Sequence, residues 1–334
     1  MHTGSHYRLK EFLLWTRHSI LVLSAIAFIP TFLYEVAGWK WLGIPWVPVA
    51  LIGTAAAFIA GFRNNATYDR MWEARKIWGA IVNSSRTWGI MVKDYIRDND
   101  PDTEKDLHRT LIYRHIAWLT ALRFQLRIPK NWENVHNKKY NREYRKKYPV
   151  AEWETDLTEE LKPYLSENDR QYILGKKNRA TQLIALQSRH LKELNRNGQL
   201  DTLCLVEMEN ILKDFYVFQG QGERIKNFPY PRQFASINLF FIRLLVWMLP
   251  FGMLHEFDKL GPYWVWLTIP FSVVVGWVFT SLEQVGESTE NPFEGSANDI
   301  PMTALSRTIE IDLRDMLDET ELPPAIEAVN NILM

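Results

Sequence analysis

Charge is spread unevenly along this chain, and the gaps in it are of membrane-crossing length. His18 to Tyr34 reads HSILVLSAIAFIPTFLY and holds no Asp, Glu, Lys or Arg. Trp41 to Phe62, WLGIPWVPVALIGTAAAFIAGF, is a second such stretch. A helix needs about 20 predominantly apolar residues to cross a hydrocarbon core of roughly 30 Å. The second stretch meets that length. The first lies at the lower limit, and Pro30 predicts a kink inside it. Leu260 to Leu282 is uncharged, with Trp264, Trp266 and Trp277 as candidate interface anchors. Phe234 to Leu254 is uncharged except for Arg243. An Arg at mid-span costs about 2.5–3.5 kcal/mol on insertion scales, so Arg243 must snorkel or face a protein or aqueous interior. The pattern predicts four spans in an all-α, polytopic membrane protein.

The spans divide the chain. Residues 1–62 make an N-terminal flank and spans one and two, 63–231 a cytoplasmic helical region, 232–283 spans three and four, and 284–334 a cytoplasmic C-terminal segment. In the middle region apolar positions recur at helical spacing, as in Leu111, His115, Trp118 and Leu122, and again in Leu200, Leu203, Met208, Ile211 and Leu212. Little sheet is expected. The polar stretch from Asn131 to Asp169 reads as a solvated loop between helices, with a basic binding patch as the sharper alternative. The span-one/span-two linker carries only Lys40 and the span-three/span-four linker carries Lys259, whereas Arg8, Lys10, Arg17, Arg63, Arg70, Arg75 and Lys76 flank the other ends. The positive-inside rule then places both termini and the middle region in the cytoplasm, with the chain in the plasma or inner membrane. Span one reads as a retained anchor, because no A-x-A-like cleavage site follows it. The leading MHTGSH is set aside.

Composition narrows the function classes. Lys plus Arg and Asp plus Glu both number 39, and a zero balance argues against nucleic acid as a partner. The single Cys204 excludes an intrachain disulfide or a CxxC metal knuckle. His255-Glu256 lacks the second His of HExxH, Gly220 and Gly222 do not extend to a dinucleotide fingerprint, and there is no phosphate-binding P-loop. No cofactor is called for and an enzyme is not expected. A transporter is the alternative to a channel, with a membrane-embedded structural protein behind it; inverted repeats, the usual mark of transporters, are not evident.

Three motifs sharpen this. GFRNNATYDRMWEARKIWG, Gly61 to Gly79, leaves span two directly; GERIKNFPYP, Gly222 to Pro231, enters span three; and ENPFEGSANDIP, Glu290 to Pro301, follows span four. In this order and at these separations they resemble the bestrophin family, in particular its bacterial branch, over nearly the whole chain. The resemblance implies a homopentamer around one central pore, in which span two lines an apolar neck and cytoplasmic helices enclose a vestibule ending in a second constriction. It implies passive conduction of inorganic ions: chloride in the animal branch, with monovalent cations an open alternative in the bacterial one.

At about 100° per residue, Leu51, Thr54, Ala55, Phe58 and Phe62 share one face of span two. Register carried over from the family puts the neck at Thr54, Phe58 and Phe62. Rings of such residues would gate by dewetting; without the resemblance, a packing or lipid-facing stripe would be the ordinary reading. If the helix continues, Asn65, Asp69 and Glu73 follow on the same face and Arg63 and Arg70 point about 100° away. Asp69 and Glu73 would then form acidic rings that attract cations, unless they pair with Arg70, Arg75 or Lys76. The resemblance puts the second constriction near Val206, with Leu203 one turn away. In the animal branch a dense acidic cluster after Asn-Pro-Phe holds Ca²⁺. Here Glu294, Asn298 and Asp299 supply only two carboxylates, too few for an ion that prefers six to eight oxygen ligands. No metal is expected. The segment is expected to pack span four against the cytoplasmic helices, with Asn298 or Asp299 capping the helix that starts near Pro301.

Overall fold

The uncharged stretches are helices in a computed structural model that describes residues 1–334, the side chain of Pro262 excepted. The helices are α1 (Leu9–Glu35), α2 (Trp46–Tyr95), α3 (Pro101–Leu126), five short ones, α4 (Asn134–Asn137), α5 (Lys139–Arg145), α6 (Ala151–Glu154), α7 (Leu157–Leu161) and α8 (Glu167–Leu174), and then α9 (Arg179–Arg196), α10 (Thr202–Asn227), α11 (Arg232–Asp258), α12 (Thr268–Thr289) and α13 (Met302–Met316). Among the described residues there are isolated β-bridges but no strand. Four helical segments are long and apolar enough to cross a membrane: Leu9–Glu35, Lys40–Tyr95, Arg232–Asp258 and Tyr263–Thr289.

Helix α2 holds 50 residues without a break, which at 1.5 Å per residue is ~75 Å. Its first part belongs to a membrane-crossing segment and the rest becomes the spine of the helical region outside it. In the membrane layer Val49, Ala56 and Ala60 of α2 pack against Leu23 of α1 and Ile242, Leu245 and Leu249 of α11. Small side chains permit that approach where lipid offers no hydrophobic drive. Gly276 of α12 is one such case, since a Cβ there would lie 2.7 Å from a Leu23 methyl. Arg243 lies on the exposed side of α11, outside the subunit's own core.

The core outside the membrane-crossing segments is larger, and aromatic. Trp78 and Trp88 of α2, Trp118 of α3 and Phe215 of α10 are fully buried. Helix starts here are specified locally: Asp100 accepts from the Thr103 N–H at 3.2 Å ahead of Pro101, Asn178 from Thr181 at 3.0 Å, and Asp201 from Leu203 at 2.8 Å. Helix α10 runs antiparallel to α2. Arg97 and Gln199 join the far ends by a 3.0 Å backbone bond, and Arg70 donates to the Ile225 carbonyl at 2.6 Å near the membrane end.

The stretch 131–169 departs from the expected solvated loop. It forms α4 to α7 and the start of α8, and it buries Asn134, Val135, Asn141, Tyr148, Val150, Glu152, Leu157 and Leu161. The reason is that its polar groups find partners. The Asn134 amide donates to the Glu287 carbonyl at 3.0 Å and to Glu290 at 3.1 Å, and Glu152 accepts from Arg123 at 2.7 Å. Hydrogen-bonded polar groups can be buried at little cost.

Candidate functional site

One side of α2 is committed to the subunit and the other is open. Val49, Ala56, Ala60, Arg63 and Thr67 are buried. Thr54 is exposed, as are Phe58 at 67% and Phe62 at 63%, values high for aromatic side chains and decisive for their being uncovered by the chain's own fold. The two rings meet edge-on at 4.9 Å. Thr54 donates back to the Ala50 carbonyl at 3.0 Å, which turns its methyl outward from that bond. The strip continues through Asn65 and Asp69, both exposed.

Asp69 makes no ion pair among the described residues, whereas Glu73 pairs with Arg224 of α10 at 2.6 Å, half-exposed on both sides. The partner is thus Arg224, not Arg70, Arg75 or Lys76. Arg70 is used otherwise, on the carbonyls of Ile225 and Phe228. Leu203 and Val206 are exposed on α10, at 78% and 53%. They lie near the Arg97–Gln199 link, at the end of α2 remote from Phe62. Along a straight helix that separation is roughly 50 Å.

The open strip is braced from behind by a buried charge network. Arg63, one residue after Phe62, donates to Glu283 of α12 at 2.5 Å and to Glu290 at 2.8 Å, with all three side chains almost wholly shielded. Asn238 of α11 donates to the other Glu283 oxygen. Arg232 reaches the second Glu290 oxygen at 3.2 Å. The guanidinium therefore joins α2 to the ends of α11 and α12. Gly286 allows the approach: a Cβ there would meet the Asn64 amide oxygen at 2.5 Å. The sequence reading put Arg63 off the pore face but did not find its partners. Glu283, Glu287 and Glu290 recur at i, i+4 and i+7 on the last turns of α12, and that spacing was the available signal.

The segment after α12 is organised by Asp299. One of its oxygens accepts from the Phe293 and Ile300 N–H groups at 2.8 and 2.7 Å. The other accepts from the Gly295 N–H at 2.6 Å and from Arg127 at 2.5 Å. Gly295 has φ +82° and sits against Trp153, where a Cβ would lie 2.4 Å from the ring. Asp299 is therefore fully used and does not cap α13. Nor does Asn298, which accepts from the Tyr7 hydroxyl at 3.0 Å; α13 starts after Pro301 without a side-chain cap. Glu294 is buried and accepts the Asn134 N–H at 2.9 Å. Burial, then the nearby charges of Asp299 and Glu133, push its carboxyl well above the usual range despite that hydrogen bond. The two carboxylates of this segment thus present one acid paired with a guanidinium and one buried acid that accepts a backbone N–H. Among the described residues no group of three or more His, Cys, Asp or Glu is arranged to hold a metal ion.

Comparison with known proteins agrees with this architecture. A family model described as Bestrophin_2, bacterial/fungal bestrophin protein, matches residues 12–315. The voltage-dependent anion channel-forming protein YneE of Escherichia coli (strain K12) is 30% identical over 279 residues, covering 84% of this chain and 79% of its own length. The voltage-dependent anion channel-forming protein RSc3414 of Ralstonia nicotianae is 26% identical over 275 residues, 82% of this chain and 78% of its own. Among solved structures, a bacterial bestrophin homolog from Klebsiella pneumoniae superposes with a TM-score of 0.74 at 25% identity, over 90% of this chain and 98% of that one.

Proposed function

The chain belongs to the bacterial and fungal bestrophin family, a family of membrane channels and not of enzymes, and on that premise we propose that it assembles as a homopentamer whose pore is walled by the open strip of α2. Thr54, Phe58 and Phe62 form the neck, Leu203 and Val206 the cytoplasmic aperture. The observation that carries the reading is the two-sidedness of α2: aromatic rings stand uncovered at Phe58 and Phe62 while the next residue, Arg63, is anchored in the subunit interior. Copies arranged about an axis would turn those rings toward one another. A lumen lined by apolar rings excludes water below a limiting radius and gates by dewetting. Both termini lie in the cytoplasm of a plasma or inner membrane. Lys40 and Lys259, the cations of the opposite side, are both engaged, Lys40 with Glu35 at 3.2 Å and Lys259 with Glu256 at 2.8 Å.

Anions are the first reading of the permeant ion, since the relatives are named as anion channel-forming proteins. A second reading has its own observation: Asp69 follows Phe62 on the same strip with no ion pair among the described residues, and Glu73 pairs with Arg224 where both side chains stay about half exposed. Carboxylate rings there would favour monovalent cations. Single-channel recording in planar bilayers under asymmetric NaCl tests both levels. Discrete current steps are expected, and their absence from ion flux would support a transporter. A reversal potential near the chloride equilibrium, unmoved by Asp69→Asn with Glu73→Gln, supports the anion reading; a cationic value that collapses in that variant supports the other.

A further inference from the structure

Away from the pore strip, a cavity of about 100 Å³ lies where α1 meets α5 and the end of α12. Five aromatic side chains wall it: Tyr7, Phe12, Trp15, Tyr144 and Tyr148. Tyr7 and Tyr144 stand 6.5 Å apart and tilted, Tyr144 and Tyr148 6.4 Å apart at 61°, and Phe12 and Trp15 6.1 Å apart. Glu11 is the one charged residue of the lining, which includes no Lys, Arg or His. The Glu11 N–H bonds the Arg8 carbonyl at 2.9 Å in the first turn of α1. Its carboxylate has no ion pair and no hydrogen bond among the described residues.

We propose that this cavity is a binding site for a small organic ammonium ion, of the quaternary or primary amine class. An aromatic face carries the negative side of the ring quadrupole and attracts a cation within about 6 Å of its centroid, and five such rings line this cavity. The half-buried Glu11 carboxylate supplies a negative charge that no cation of the lining compensates. Burial and then the Glu11 charge push the Tyr144 phenol upward. The wall already engages a cation on its outer side, where the Lys147 ammonium stands 4.7 Å from the Tyr144 centroid. A neutral apolar molecule would fill the space but leave Glu11 unpaired, and an anion would be repelled by it. The bound ion would bridge α1 to the segment that carries Asn298 and, through Glu290, Arg63.

The test uses the full chain in nanodiscs, titrated with choline or tetramethylammonium and followed by calorimetry and Trp fluorescence. Saturable binding of one ion per chain is expected. The neutral carbon isostere of choline, dimethylbutanol, should bind on the order of tenfold more weakly. Glu11→Gln and Tyr144→Ala should each weaken the ammonium by a similar factor. Equal binding of choline and its isostere to the unmodified chain would overturn the proposal without reliance on any variant. So would the absence of saturable binding, or binding that survives Glu11→Gln and is lost in Phe58→Ala, which would place the ion in the pore.

Discussion

Arg63 and Glu283 meet at 2.5 Å with side chains only 3% and 7% exposed, one residue past the exposed Phe62 ring. The contact is the point at which the candidate neck is fastened to α12. Removing one member of a buried ion pair leaves the other uncompensated, typically costing about 3–5 kcal/mol. Arg63→Ala should therefore lower the melting temperature of the purified channel markedly. Adding Glu283→Gln should restore part of the loss by removing one stranded charge. A single variant as stable as the parent would mean that solvent or another group already neutralises Glu283.

Asp299 and Arg127 make the corresponding contact in the C-terminal segment, again at 2.5 Å and buried. The guanidinium stands where a cation would otherwise be needed, and the Asp299 oxygens are spent on Arg127 and three backbone N–H groups. Isothermal titration with Ca²⁺ should accordingly show no micromolar binding. Asp299→Asn should instead act on stability, by about 3–5 kcal/mol for the stranded Arg127. Micromolar Ca²⁺ binding abolished by that substitution would overturn this assignment.

How far the sequence carried the architecture can be read from these two contacts. The four spans and the continuation of span two were legible because charge gaps and apolar periodicity are local signals. The exposed strip of Thr54, Phe58 and Phe62 was legible for the same reason. Arg63–Glu283 and Arg127–Asp299 join residues 220 and 172 positions apart, and nothing local marks which charges meet. Residues 131–169 failed in the same way. Polarity reads as exposure until the partner is known, and the partners of Asn134 lie at Glu287, Glu290 and Glu294, beyond the reach of any local pattern.

His115 gives the large helical core a built-in acid sensitivity. It is buried against Trp118 and Phe215, with Nε2 2.8 Å from the Ser85 hydroxyl. Burial takes its pKa from 6.5 down to about 3. Between those values the unfolded chain holds a proton that the folded chain refuses. The contribution to stability is thus fully present above 6.5 and is lost as pH falls through the window, at up to about 1.4 kcal/mol per pH unit. Glu294 runs the other way, since a raised carboxyl pKa means that acidification relieves a cost. Thermal melts of His115→Leu should decline less between pH 7 and pH 5 than those of the parent, because Ser85 keeps its 2.7 Å bond to the Ile81 carbonyl. Parallel declines in the two proteins would show that His115 does not carry the effect.

The neck reading makes a prediction that separates pore from packing. Phe58 and Phe62 are more than half exposed in the subunit, so truncating them removes little burial within it. Surface substitutions of this kind usually stay within about 0.5 kcal/mol. Phe58→Ala and Phe62→Ala should then leave the melting of the dissociated subunit almost unchanged. In liposome flux and single-channel recording, both should raise ion passage, and the double variant more than either, because a wider and less apolar lumen stays wet. Leu203→Ala provides the contrast. On the proposed pore it would act at the far end of the conduction path, and its effect on conductance should combine with that of Phe58→Ala as two resistances in series. If both Phe variants instead leave flux unchanged and disrupt assembly, the strip is an intersubunit packing surface and the neck lies elsewhere.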